Sequence, residues 1–180
     1  MHRASVSALL RAHLGTALDP HEHAMTAATL AFVEGHPDCL LRTCVPGHLT
    51  GSAWIIDCTR RRVLLTHHRK LDRWLQLGGH ADGDPDLAAV ARREAAEESG
   101  LRSVALVSPA IFDLDVHAIP ARRDDPAHLH YDLRFLIEAD ADEPLVISTE
   151  SKDLAWVPFD RVADYSAEAS LLRMANKTRW

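Results

Sequence analysis

No apolar run in the chain approaches the roughly 20 residues that a helix needs to cross a bilayer, so no membrane partner is expected. Positive charge is not in excess either. The 20 Lys+Arg stand against 26 Asp+Glu, for a net charge of -6. That balance argues against a large nucleic acid or an anionic lipid surface as the main partner, although a local basic loop could still grip phosphates. Cysteine is scarce, and Cys39, Cys44 and Cys58 form no paired short motif. An odd count fits a reducing compartment, hence a cytoplasmic setting, better than a disulfide framework, and each thiol is read as a small packed hydrophobe. There is no internal repeat and no low-complexity tract. What is present is 180 residues, 47% hydrophobic and 26% charged, enough for one domain with a real core and a small appendage.

Met1 to Leu18 carries His2, Arg3 and Arg11 but no acid, as transit peptides do; it is read here as part of the fold. Val6, Leu9, Leu10, Leu14 and Leu18 recur at helical spacing, which predicts a helix from about Ala4 to Ala17. A second helix follows, with Asp19 as its N-cap and Pro20 in its first turn, stopping near Gly35 before Pro37. The two are expected to form an N-terminal helical extension over residues 1–45, packed on a main domain over 46–180. Next come short β-like runs: CLLRTCV, TGSAWIIDC and RRVLLTHH, the last two divided by a polar turn. Further strands are expected in VALVSPAIFDLDVHAI and HLHYDLRFLIEA, paired antiparallel across the connector PARRDDPA, and in LAWVPF. A final helix is expected in AEASLLRMANK. One helix between two sets of strands, with another at the end, predicts an α/β fold with a mixed sheet covered by helices on both faces.

The central helix carries the chemistry. Asp84 before Pro85 reads as its start and Gly100 as its stop. That leaves about fifteen residues, or some 22 Å at about 1.5 Å per residue. Glu94, Glu97 and Glu98 stand at i, i+3 and i+4 with no Lys among them. Like charges at i, i+4 cost a helix about 0.2 to 0.5 kcal/mol, and acids near a C-terminal end also oppose its dipole. Either the face is solvated and partly neutralised by Arg92, Arg93 and Arg102, or it holds a hard cation, since magnesium prefers carboxylate oxygens and substrate phosphates. Spacing alone leaves both readings open.

The larger pattern, Gly79 followed in register by Arg93, Glu94, Glu97, Glu98, Gly100 and Leu101, resembles the box of the Nudix (MutT-like) hydrolase family: glycine, five residues, glutamate, seven residues, then REUXEEXGU with U a bulky aliphatic. WLQLGGH resembles the strand leading into that box, and LAWVPFDRV the late strand and its turn. Two positions depart: Pro85 stands where the family has its first glutamate, and Ala95 replaces a bulky aliphatic. Asp82, Asp84 or Asp86 is placed to supply the missing charge. The resemblance implies a Nudix-type α/β/α sandwich. It also implies a metal-dependent pyrophosphohydrolase, using Mg2+ or Mn2+ to cleave a diphosphate linkage in a nucleoside diphosphate derivative. By the same resemblance Glu97 and Glu98 are metal ligands, with the Gly78 carbonyl as a backbone ligand. Glu94 binds metal through water or takes the water's proton, and Arg93 orients the acids. Glu150 resembles a loop acid of relatives, a further ligand or the general base, with Asp153, Glu143 and Asp142 nearby in sequence as alternatives.

Substrate contacts are less determined. Arg122 and Arg123 either bind phosphate or form a solvated turn beside Asp124 and Asp125. Trp74 either stacks on a base or sugar or belongs to the core. In a strand His128 and His130 share a face, lining a pocket or simply packing, and His80, directly after the box glycine, is expected at the mouth of the site. Twelve histidines invite a zinc reading, yet no cysteines stand at finger spacing. A catalytically weakened Nudix-fold nucleotide-binding or regulatory module is the competing reading, favoured by Pro85 and opposed by the retained Arg93 and glutamates. The isoprenoid diphosphate isomerase branch wants a cysteine near the glycine that precedes the helix, where LQLGGH has none. A homodimer is left open.

Overall fold

The computed structural model describes residues 3–16, 19–121 and 126–178. Five α-helices and eight strands are found among them: α1 (Arg3–Leu14), α2 (Pro20–Gly35), β1 (Gly47–Asp57), β2 (Arg62–His68), β3 (Arg73–Leu75), β4 (Leu77–His80), α3 (Leu87–Ser99), β5 (Ala105–Leu106), β6 (Asp113–Ile119), β7 (His128–Ala139), β8 (Ser151–Pro158), α4 (Val162–Tyr165) and α5 (Ala169–Lys177). The strands form one mixed sheet in the order β3-β2-β1-β7-β5, with β4 on β1, β6 on β7 and β8 on β2. The fold is therefore of the expected α/β class, with the two N-terminal helices in place.

Two compact units divide the chain: residues 1–51, 79–90 and 109–135 form one, and 52–78, 91–108 and 136–180 the other. In the first, Asp19 caps α2 by accepting from the Glu22 amide at 2.9 Å. Arg3 reaches back from α1 to the Val33 carbonyl at 2.8 Å, and His13 meets Glu22 at 2.9 Å in a buried contact. Phe32 of α2 stacks on Tyr131 of β7 with ring centroids 3.9 Å apart. The same unit holds a charge cluster: buried Arg134 of β7 donates to Asp132 at 2.8 Å and Asp113 at 3.2 Å, with Asp115 at 3.7 Å. Burial works against the charged guanidinium, but Asp132 and Asp113 outweigh it and raise its pKa. Thr50 of β1 donates to Asp132 at 2.8 Å, so a buried acid also ties β1 to β7.

In the second unit, β2 pairs antiparallel with β8 from Arg62↔Pro158 to His68↔Ser151, with a bulge between His67 and His68. The other edge of β2 takes β1 (Ile55↔Leu64) and β3 (His67↔Trp74). The β1–β2 turn is anchored by Asp57, whose carboxylate accepts from the Arg61 and Arg62 amides at 2.8 and 2.9 Å and from Thr59 at 2.6 Å. Every residue of β1 is buried, His48, Thr50, Ser52 and Asp57 among them. Trp54, Ile55, Leu64, Ala91, Ala95 and Leu101 belong to this core. Ala95, the small residue in place of a bulky aliphatic, is fully buried, so the substitution changes packing at that point.

Four expectations need correction. CLLRTCV is not a strand: its backbone closes i→i+3 turns, Leu41 onto Asp38 at 2.8 Å and Cys44 onto Leu41 at 3.0 Å, although Cys39, Leu40 and Cys44 are buried. VALVSPAIFDLDVHAI holds two strands, β5 and β6, separated by a loop; β6 does pair antiparallel with β7. α1 ends at Leu14 instead of continuing to Ala17, which itself lies outside the described residues. α3 starts two residues later than Pro85. Its cap is Asp86, whose side chain accepts from the Ala89 amide at 3.0 Å and whose carbonyl accepts from Val90 at 3.0 Å. The three cysteines are free thiols.

Candidate functional site

α3 presents Glu94, Glu97 and Glu98 within one turn and a half, as the i, i+3, i+4 spacing requires. Glu97 is exposed, while Glu94 and Glu98 are partly buried. Glu98 accepts a hydrogen bond from the Gly78 amide at 3.2 Å, so the glycine that the sequence offers as a carbonyl ligand meets this acid through its N–H. Gly78 must lack a side chain here: a Cβ would stand 2.3 Å from the Ser52 hydroxyl and 2.7 Å from the Ser52 Cα. Arg93, exposed on the next position of α3, donates to Glu94 at 3.4 Å.

Glu150 reaches the same group from the segment before β8. Burial, and then the charges of Glu94, Glu150 and Glu97, push the Glu98 carboxyl up to about 7. Burial also raises Glu94, reinforced by Glu97 and Glu150 and opposed by Arg93. Four acids thus bear on one another, with Arg93 set against Glu94. The Glu150 segment is clamped by Arg69: its backbone amide donates to the Glu150 carbonyl at 2.8 Å, and its guanidinium donates to the Thr149 carbonyl at 3.1 Å and the Ser151 carbonyl at 2.7 Å. Arg69 follows the β2 bulge and carried no signal in the sequence. Of the alternatives to Glu150, Glu143 accepts from the Arg102 amide at 2.8 Å, and Asp153 from the Leu154 amide at 2.9 Å.

The aspartates placed to substitute for the missing glutamate at Pro85 have local partners. Asp82 forms a two-pronged ion pair with Arg42 at 2.6 and 2.7 Å, Asp84 accepts from the Asp86 amide at 2.9 Å, and Asp86 caps α3. Gly100 ends the helix at φ +75°, where its missing Cβ leaves room for Val146.

Trp74 is partly buried on β3, stacked on His67 with centroids 5.1 Å apart and edge-on to Tyr165 at 5.1 Å. Arg122 and Arg123 lie outside the described residues. His80 and His130 belong to the first unit and join a cluster with His48, His117 and His128. The His130 ring lies 4.8 Å from His48, 5.0 Å from His80 and 5.5 Å from His117. Burial, then the neighbouring imidazoles, lower His130 to about 3. His48 was missed in the sequence because its neighbours come from strands far along the chain.

The donor chemistry of the α3 group fits a hard divalent cation: carboxylate oxygens on a rigid face, with burial and then the neighbouring acids raising the Glu98 carboxyl. The family model for the NUDIX domain matches residues 48–176. A NUDIX-family hydrolase from Clostridium perfringens shares 23% identity and superposes over 73% of this chain and 95% of that one, at a TM-score of 0.54. A C. elegans Ap4A hydrolase binary complex, at 15% identity, covers 72% of this chain and 93% of that one, with a TM-score of 0.58. The E. coli dihydroneopterin triphosphate pyrophosphohydrolase, also at 15%, covers 72% and 92%, with a TM-score of 0.54. No curated protein matches.

Proposed function

Since the chain belongs to the Nudix family, we propose that it is a metal-dependent hydrolase cleaving a diphosphate linkage in a small nucleoside diphosphate derivative. The observation that carries this reading is the α3 acid cluster, in which burial and three neighbouring carboxylates hold Glu98 at about 7, an arrangement that a divalent ion relieves. Mg2+ or Mn2+, when bound, neutralises the anhydride oxygens and acidifies a water molecule.

The chain's own residues divide the remaining work. Glu97 and Glu98 would hold the ion, with the Gly78 amide fixing the Glu98 carboxylate and the Gly78 carbonyl as a further ligand. Glu94 would take the proton of the attacking water or hold the ion through water, with Arg93 keeping that carboxylate oriented. Glu150, held by Arg69, is a further ligand or the general base. Trp74 is the aromatic surface offered to a base or sugar, and Arg122 and Arg123 the cations for phosphate. Residues 46–180 make up the hydrolase domain and 1–45 its helical extension. The family comparison supports the reaction class. Two of the solved structures of this fold are named an Ap4A hydrolase and a dihydroneopterin triphosphate pyrophosphohydrolase; only the class of linkage is carried over. Among the described residues no helix is long and apolar enough to cross a membrane. The setting proposed, from the unpaired thiols, is cytoplasmic, and the substrate a dissolved nucleotide.

One observation favours a second reading, a nucleotide-binding module with weakened hydrolysis: Pro85 occupies the first box glutamate, and Asp82, Asp84 and Asp86 are each engaged locally. The experiment is product release from a panel of nucleoside diphosphate derivatives with Mg2+, comparing wild type with Glu98→Gln. Turnover that the substitution abolishes supports the hydrolase. Binding of one compound without turnover of any favours the module.

A further inference from the structure

We propose that His48, His128 and His130 form a second metal site, selective for a divalent transition ion such as zinc and separate from the carboxylate group on α3. The proposal does not depend on the hydrolase reading. In β7 the side chains of His128 and His130, two residues apart, stand on one face. The β6–β7 register sets His117 opposite His130, and β1 brings in His48, buried at 3% exposure. One ring nitrogen from each of His48, His128 and His130 lies within 4.8 Å of the other two.

The finer geometry favours a ligand set over simple packing. The Nε2 atoms of His128 and His130 are 3.2 Å apart, joined by a hydrogen bond. Two nitrogens bound to zinc at about 2.0–2.1 Å in a tetrahedron are separated by about 3.3 Å, so this pair already has the spacing of one edge. The Nδ1 of His128 lies 2.8 Å from the Pro126 carbonyl. A carbonyl only accepts, so Nδ1 carries the proton, and the neutral ring directs its Nε2 lone pair toward His130. A backbone carbonyl holding the second nitrogen is the usual support for a metal-binding imidazole. His80 flanks the group, its ring 5.0 Å from those of His48 and His130. Three protein nitrogens with a remaining position for water or a fourth imidazole suit zinc, whereas magnesium prefers the oxygens of α3.

The two kinds of site can be titrated apart. The full-length chain, stripped of metal and held in excess Mg2+, is titrated calorimetrically with zinc, and the zinc-loaded protein is measured by X-ray absorption at the zinc edge. The expected result is one equivalent bound with at least three imidazoles in the first shell. His130→Gln should weaken binding at least about 100-fold, the upper range for loss of a mere supporting partner, while Glu98→Gln should leave zinc affinity unchanged. No zinc bound, an oxygen-dominated shell, or affinity lost in Glu98→Gln but kept in His130→Gln would overturn the assignment. If His130→Gln does not fold, the wild-type absorption spectrum decides by the same criterion of three imidazoles.

Discussion

Replacing Glu98 by Gln should stabilise the metal-free protein while removing its response to magnesium. In the unfolded chain this carboxyl ionises near 4.5, in the folded chain near 7. Between those values the folded chain holds the extra proton, so the group's contribution to stability is full below pH 4.5 and is lost as pH rises through about 7. At about 1.36 kcal/mol per pH unit, the loss is at most roughly 3 kcal/mol, since water still reaches part of the side chain. The glutamine amide has nothing to ionise and keeps the shape of the acid. In EDTA at pH 8, Glu98→Gln should therefore unfold later than wild type by up to about 3 kcal/mol, or roughly 6–12 °C for a chain of this size. At pH 5 the gap should shrink to under about 1 kcal/mol. Saturating Mg2+ should close the gap from the wild-type side, by about 2.7 kcal/mol at a hundredfold excess over Kd. The assay is thermal and urea unfolding at the two pH values, with and without Mg2+. A variant no more stable than wild type at pH 8, or a gap as wide at pH 5, refutes the reasoning.

Arg134→Met should cost about 3–5 kcal/mol in urea unfolding, because it leaves Asp113 and Asp132 buried without their cation; a loss below about 1 kcal/mol would show that the aspartates relax into water. Gly100→Ala should cost about 1–3 kcal/mol, since φ +75° and Val146, 2.6 Å from the added Cβ, both oppose it. Glu150→Gln should lower kcat by about 100-fold if Glu150 takes the proton; an unchanged kcat would remove it from the machinery.

Local chemistry made part of this molecule legible in advance. α2 runs over Pro20–Gly35 because Asp19 caps it and Pro20 presets its first turn, signals contained in a few adjacent letters. The acid spacing on α3 is likewise a property of one helix. CLLRTCV misled because burial and strand pairing are different things: Cys39, Leu40 and Cys44 are inside, but the Leu41 and Cys44 amides bond to carbonyls three residues back. The start of α3 shifted because two aspartates flank Pro85 and the later one made the cap. Arg69 and His48 were out of reach, since they meet residues distant in the chain: Arg69 on Thr149, His48 beside His80 and His128. Such pairs are set by register, which one sequence does not display.

The central claim is that the acids of α3 hold a divalent ion, and anomalous diffraction from crystals grown with Mn2+ tests it most directly. The account predicts a peak at about 2.2 Å, a hard-cation oxygen distance, from the carboxylates of Glu97 and Glu98. A protein that turns over substrate with Mn2+ bound elsewhere, and no peak at those two carboxylates, would contradict it.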